Sequence, residues 1–215
     1  MAEMNDSFNE VTAEMLKVIS DYDSVTGFQG AYNIRQDSMC AGRKNSENIT
    51  IESKTDKPGI NIRVKPGTKG ETVYIPACVT HSNVDDLVYN DFFIGEGADV
   101  TIVAGCGVHS DGSETARHNG IHRFFLEKGA KVLYKEKHIG TGKGTGLRRI
   151  DPVTDAYLKE DSYLEMDTVQ LRGVDRTTRS TSAVLDKGAK IVVRERIMTD
   201  GDEDAVTKFK VELNG

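Results

Sequence analysis

The eighteen residues from Gly105 to His122, GCGVHSDGSETARHNGIH, hold one thiol, three imidazoles and two carboxylates. Thiolate and imidazole together suit iron, zinc or an iron–sulfur species. Cys106 shares the parity of Val100, Ile102 and Ala104, so a regular strand turns its sulfur toward the core, where a small buried hydrophobe is the plain alternative to a ligand. His118 and His122 stand four apart, a spacing that grips a metal on a helix. No Glu follows His118, however, and Asn119-Gly120 breaks helices, which excludes a His-Glu-x-x-His protease. On a strand the two rings share one face. Cys106, His109, His118 and His122 converge on a metal only if the SDGSETAR loop folds back, and from spacing alone a solvated polar loop with His122 as an ordinary strand histidine is the better reading. Cys78 and His81, in IPACVTHS, are second choices, because Cys-x-x-His alone is weak evidence for a metal. Cys40 falls in the polar segment MCAGRKNSEN, read as an exposed loop without a neighbouring ligand.

Other patterns carry less. The run HIGTGKGTG, residues 138 to 146, does not fit GxxxxGK[ST] or GxGxxG, and no helical pattern follows to offer its N-terminus to phosphate. A flexible connection is the better reading. No G-x-S-x-G elbow is present, so serine-hydrolase chemistry finds no support and no catalytic residue is assigned. An enzyme is not expected; the alternatives to a metal-handling scaffold are a purely structural β-helix module and a small cupin-like metalloenzyme with a His-rich site.

The elements that must position these residues are strands. Apolar positions Phe8, Val11, Met15, Val18 and Ile19 recur at helical spacing and predict one amphipathic helix over 5–19, an appendage covering residues 1–21. From there to residue 215 the period is two, as in INIRVKPG, DVTIVAGCG and KVLYKEKHIG, with Gly, Asp or Pro between the runs. Gly97-Ala98, Gly129-Ala130 and Gly188-Ala189 put one kind of turn before one kind of strand, and Glu160-Asp161-Ser162 takes the same place between the last two. The starts near 97, 129, 161 and 188 are 32, 32 and 27 apart. Such an interval without helices predicts stacked coils, an all-β β-helix, over an antiparallel sandwich. The chain stops at Gly215 just after an alternating strand, so a further segment or another subunit is expected to cover that edge.

Composition bounds the partners. With 215 residues, 37% hydrophobic and 29% charged, the chain suits one core-forming domain, and its net charge of −6 gives no reason to bind nucleic acid or an anionic membrane. No apolar run approaches the ~20 residues that span a bilayer, and MAEMNDSFNE lacks the features of a signal peptide, so a cytoplasmic setting is expected. Three widely spaced cysteines fit reduced thiols.

The segments PACVTH, DDLVYNDF, AGCGVHSDGSETARHNGIHRFFLEKGAKVLYKEKHIGTGKGTG and DPVTDAYLKEDSYLEMDTVQLRGV closely resemble the SufB/SufD family of iron–sulfur cluster assembly proteins, above all short SufB-type members of archaea and anaerobic bacteria. The resemblance implies a right-handed β-helix that forms a homodimer or a SufB/SufD-like heterodimer and works with the ABC-type ATPase SufC. It implies a scaffold that builds a transient cluster from iron and sulfide and hands it to apo-proteins, and it makes Cys106, His109, His118 and His122 the candidate iron or cluster ligands, with Glu114 as an auxiliary oxygen ligand. Family members continue into further coils, a Cys/His-bearing segment and a helical region that docks SufC. The family's best-known functional cysteine therefore corresponds to no position here, and Cys106 is a different residue.

Overall fold

A computed structural model describes residues 7–23 and 25–215. Among these, one helix, α1 (Glu10–Ile19), precedes fifteen strands. It is shorter than the sequence pattern predicts, because Asn9 caps it: the Asn9 side chain accepts from the Thr12 amide, ending the helix on its N-terminal side. Residues 1–6 lie outside the described residues. The helix lies across a sheet, with Leu16 and Ile19 fully buried against it. Gly105 and Gly107 make this approach possible, since a Cβ at either would meet Ile19 or Met15.

Two hairpins open the body, β1 (Ala31–Gln36) with β2 (Met39–Lys44) and β3 (Ile49–Ser53) with β4 (Gly59–Val64). The segment around Cys40 is thus a strand rather than a loop, because it pairs with β1. From there the chain alternates between two parallel sheets. One receives β5 (Lys69–Val79), β7 (Asp99–His109), β9 (Lys131–Thr141), β12 (Tyr163–Gln170) and β14 (Lys190–Ile197). The other receives β6 (Asp85–Ile94), β8 (Ala116–Leu126), β10 (Arg148–Ile150) with β11 (Val153–Leu158), β13 (Arg176–Leu185) and β15 (Asp204–Leu213). The result is a β-solenoid of about five turns, as the coil spacing predicts.

Register reproduces that spacing. Val100 pairs with Val132, Leu133 with Glu165, and Leu164 with Ile191, offsets of 32, 32 and 27 residues. The repeated turns stack: Gly97, Gly129 and Gly188 have φ of 64°, 64° and 72°, and Asp161 takes φ 58° in the corresponding place. Each turn amide donates to the next coil, from Gly97 to Lys128, from Gly129 to Glu160 and from Asp161 to Lys187. Glycine suits this left-handed backbone without strain, and Asp is among the few other residues that tolerate it.

Inside, side chains align coil over coil. Phe92 stacks on Phe124 at 4.5 Å, Tyr134 meets Phe124 edge-on, and the half of the interior nearest the repeated turns is filled by Ile, Val, Leu and Met. Each such side chain, fully buried, stabilises the fold by roughly 1.5–3 kcal/mol. The glycine-rich segment after β9 is tight rather than flexible. A Cβ at Gly142, Gly144 or Gly146 would fall on the backbone carbonyl of Ser110, Gly112 or Glu114, and the Gly144 and Gly146 amides donate to Ser110 and Gly112. Alternate glycines let this loop lie directly on the loop of the preceding coil.

Candidate metal and sulfur site

Away from the repeated turns the solenoid interior becomes polar. Along the first sheet, Ala77, Cys106, His138 and Gln170 form one inward ladder, and Ile75, Ala104, Glu136, Thr168 and Glu195 form the next. On the opposite sheet Asn90, His122, Thr154 and Thr181 align, and Asp86 stands beside His118. All are held there by strand parity alone: every second residue points inward.

The closest gathering of metal-competent atoms among the described residues is Cys106, Glu136 and His138, whose ligand atoms lie within 4.8 Å of one another, all buried. Arg179, 4% exposed on β13, donates from Nη1 to Glu136 Oε2 at 2.8 Å and from Nη2 to His138 Nδ1 at 3.3 Å, while its Nε lies 3.2 Å from Glu195. Tyr134 Oη donates to Glu136 Oε1 at 2.8 Å. His138 Nε2 is 3.3 Å from the same oxygen but makes no well-aligned hydrogen bond to any described residue.

Burial works on every group here. It pushes the Cys106 thiol up, and the nearby Glu136 charge pushes it further. It pushes His138 down, against the opposing pull of Glu136. Burial would raise Glu136, yet His138 beside it, charged only at low pH where the carboxyl titrates, and the Arg179 guanidinium outweigh that and hold the carboxyl well below its ordinary value. Arg179 keeps its charge at any working pH, so it is the standing counterion of the Glu136 carboxylate. At neutral pH the set is therefore a neutral thiol, a neutral imidazole, a carboxylate and a guanidinium. Thiol, imidazole and carboxylate are a mixed S, N, O donor set of the kind iron accepts, once the thiol loses its proton.

The residues expected from sequence scatter around this trio. Cys106 is inward and buried, as its parity predicts. His118 and His122 share the inner face of β8. His118 Nδ1 is 2.9 Å from Asp86, whose carboxylate is also gripped by Arg35. Burial alone would raise Asp86, but the bond from His118 and the Arg35 guanidinium hold it far down. His122 stacks on Phe92 with a ring-centroid distance of 5.9 Å, and neither of its nitrogens has a partner among the described residues; burial lowers its pKa to about 4, against the pull of Glu136. The loop does not fold back to bring the others in. His109 points outward to Thr141 and Asp111, and Glu114 is exposed. Cys78 is buried on the outer face of β5 beneath α1, where it packs with Met15 and Leu16, and His81 is exposed near Asp37. Glu136, His138 and Arg179 were missed by sequence reasoning, although the alternation Val132, Tyr134, Glu136, His138 in β9 is a signal that places both ligands on the core face.

No family model matches the chain. It is 27% identical to an iron–sulfur cluster assembly SufBD family protein of Archaeoglobus fulgidus, over 75% of this chain and 54% of that protein. Two SufBD family proteins from strains of Methanothermobacter thermautotrophicus are 32% and 30% identical over 40% of this chain and 21% of their own length. The chain thus spans about half the length of the Archaeoglobus relative and a fifth of the other two.

Proposed function

We propose, for a chain that is a relative of SufBD family iron–sulfur cluster assembly proteins, a role in cluster assembly in which the solenoid interior handles iron or sulfur as cargo. The observation that carries this reading is the buried convergence of Cys106, Glu136 and His138. In the proposed role Cys106 supplies a thiolate when its proton leaves, His138 a nitrogen lone pair and Glu136 an oxygen. Arg179 compensates charge as the cargo comes and goes. Three donors leave coordination positions open, which suits a transient occupant. The chain is then a scaffold rather than an enzyme, working in the cytoplasm with a like subunit and a SufC-type ABC ATPase and passing clusters to apo-proteins. Among the described residues no helix is long and apolar enough to cross a membrane.

A purely structural interior is the second reading, favoured by one observation: Glu136 is already bonded to Tyr134 and Arg179. Anaerobic titration with ferrous iron and sulfide decides between them. The scaffold reading expects charge-transfer absorption that Cys106→Ser and His138→Ala each remove, while far-UV circular dichroism stays unchanged. Equal absorption in wild type and both variants refutes the site. Capture of a SufC-type ATPase by the chain tests the partnership separately.

A further inference from the structure

The open end of the solenoid at the two hairpins carries a cavity of about 240 Å³ between β1, β2 and the turn before β4. Among the described residues, four cations line it, Arg35, Arg43, Lys54 and Lys57, and no carboxylate does. Two are already matched: Arg35 grips Asp86, and Lys54 is 2.6 Å from Asp91. Arg43 is not, and Lys57 is matched only loosely. Arg43 donates only to neutral groups, Asn33 Oδ1 at 2.8 Å and Ser53 Oγ at 3.0 Å, and no carboxylate among the described residues pairs with it. Lys57 reaches Asp56 only at 3.9 Å and otherwise lies over the Tyr89 ring.

The inner wall adds an independent sign. Asn90 lines the cavity, is 7% exposed, and leaves Oδ1 without a partner. A buried amide oxygen without a donor is unfavourable. Arg43, which pairs with no carboxylate among the described residues, and Lys57, only loosely paired, line the same small cavity as this acceptor, which suits a ligand that is anionic at one end and a hydrogen-bond donor at the other. We propose that this cavity binds a small hydroxyl-bearing anion, a hydrogen phosphate or a 2-hydroxy carboxylate, with Arg43 and Lys57 on its charge and Asn90 on its hydroxyl. Nothing in this assignment depends on the Cys106 site.

Cys40 makes the test direct, because it lines the same cavity and is part-exposed, whereas Cys78 and Cys106 are buried. Alkylation of Cys40 by the neutral reagent iodoacetamide, followed by peptide mass spectrometry, is measured against inorganic phosphate or lactate at constant ionic strength. Saturable protection is expected, about tenfold at ten times the half-saturating concentration. Arg43→Ser and Lys57→Ser should each abolish it, and Arg43→Lys should retain part. Protection by one probe alone assigns the anion class. No protection by either, an equal effect of chloride, or full protection in both serine variants overturns the proposal. Circular dichroism of the variants separates lost binding from lost fold.

Discussion

His122 gives the sharpest test of how the interior is built. Its ring is buried beside Phe92 with neither nitrogen partnered among the described residues, and its pKa falls from 6.5 to about 4. A histidine depressed in the folded state stays neutral there while the unfolded chain takes up a proton. Its contribution to stability is therefore intact above pH 6.5 and is lost as pH falls from 6.5 to about 4. At 1.36 kcal/mol per unit, the complete loss is ~3 kcal/mol, of which about 2 kcal/mol is gone by pH 5. His122→Leu keeps a similar volume and deletes the titration. Urea unfolding of wild type and variant at pH 7.5 and pH 5 should show the variant losing about 2 kcal/mol less on acidification. The neighbouring His138, also depressed, acts in the same direction in both proteins and cancels in the difference. Asp86 and Glu136, both held low, remain ionised over this window and add nothing to it. An identical acid loss in variant and wild type would mean that His122 reaches a partner or water in solution, and would refute the reasoning.

Three further outcomes follow from the same interior, its turns and its close-packed strands. Arg179→Met strands Glu136 as a buried charge, so urea unfolding should show a loss of about 3–5 kcal/mol near neutrality. Without Arg179 the Glu136 carboxyl rises, so the deficit is largest near neutrality and shrinks on acidification, as the variant's carboxyl takes up a proton. Gly129→Ala meets only the strain of its φ of 64°, with nothing near its Cβ, and should lower stability by about 1 kcal/mol in thermal melts. Gly140→Ala, whose Cβ falls on the Gly173 carbonyl, should lower it by more.

Coil spacing and strand parity were legible because they depend on the chain alone. The Gly-Ala turns at 97, 129 and 188 announce the period, and alternation in β7 turns Cys106 inward before any coordinate is known. The partners of Cys106 were not legible, because the residue beside it lies 32 positions on: His138 is reached through register, and Arg179 crosses from the opposite sheet. The local cluster in GCGVHSDGSETARHNGIH misled for the same reason. His109 follows Cys106 by three and so must face away from it on a regular strand, while Glu114 sits in the connecting loop. The glycines at 142, 144 and 146 were legible as a loop but not as a tight one, since what forbids their side chains is the backbone of another coil.

The two edges of the solenoid differ in what they let the sequence do. Every link before a strand of the first sheet, at 65–68, 95–98, 127–130, 159–162 and 186–189, has four residues, and its amides tie it to its neighbours. At the other edge the links vary, and the change of offset from 32 to 27 is absorbed there, where β10 interrupts one coil. One edge thus behaves as a fixed spine and the other as an open margin. Lineages of such a chain can lengthen or shorten coils at the margin, and so reshape its outer contour, without shifting which residues meet inside.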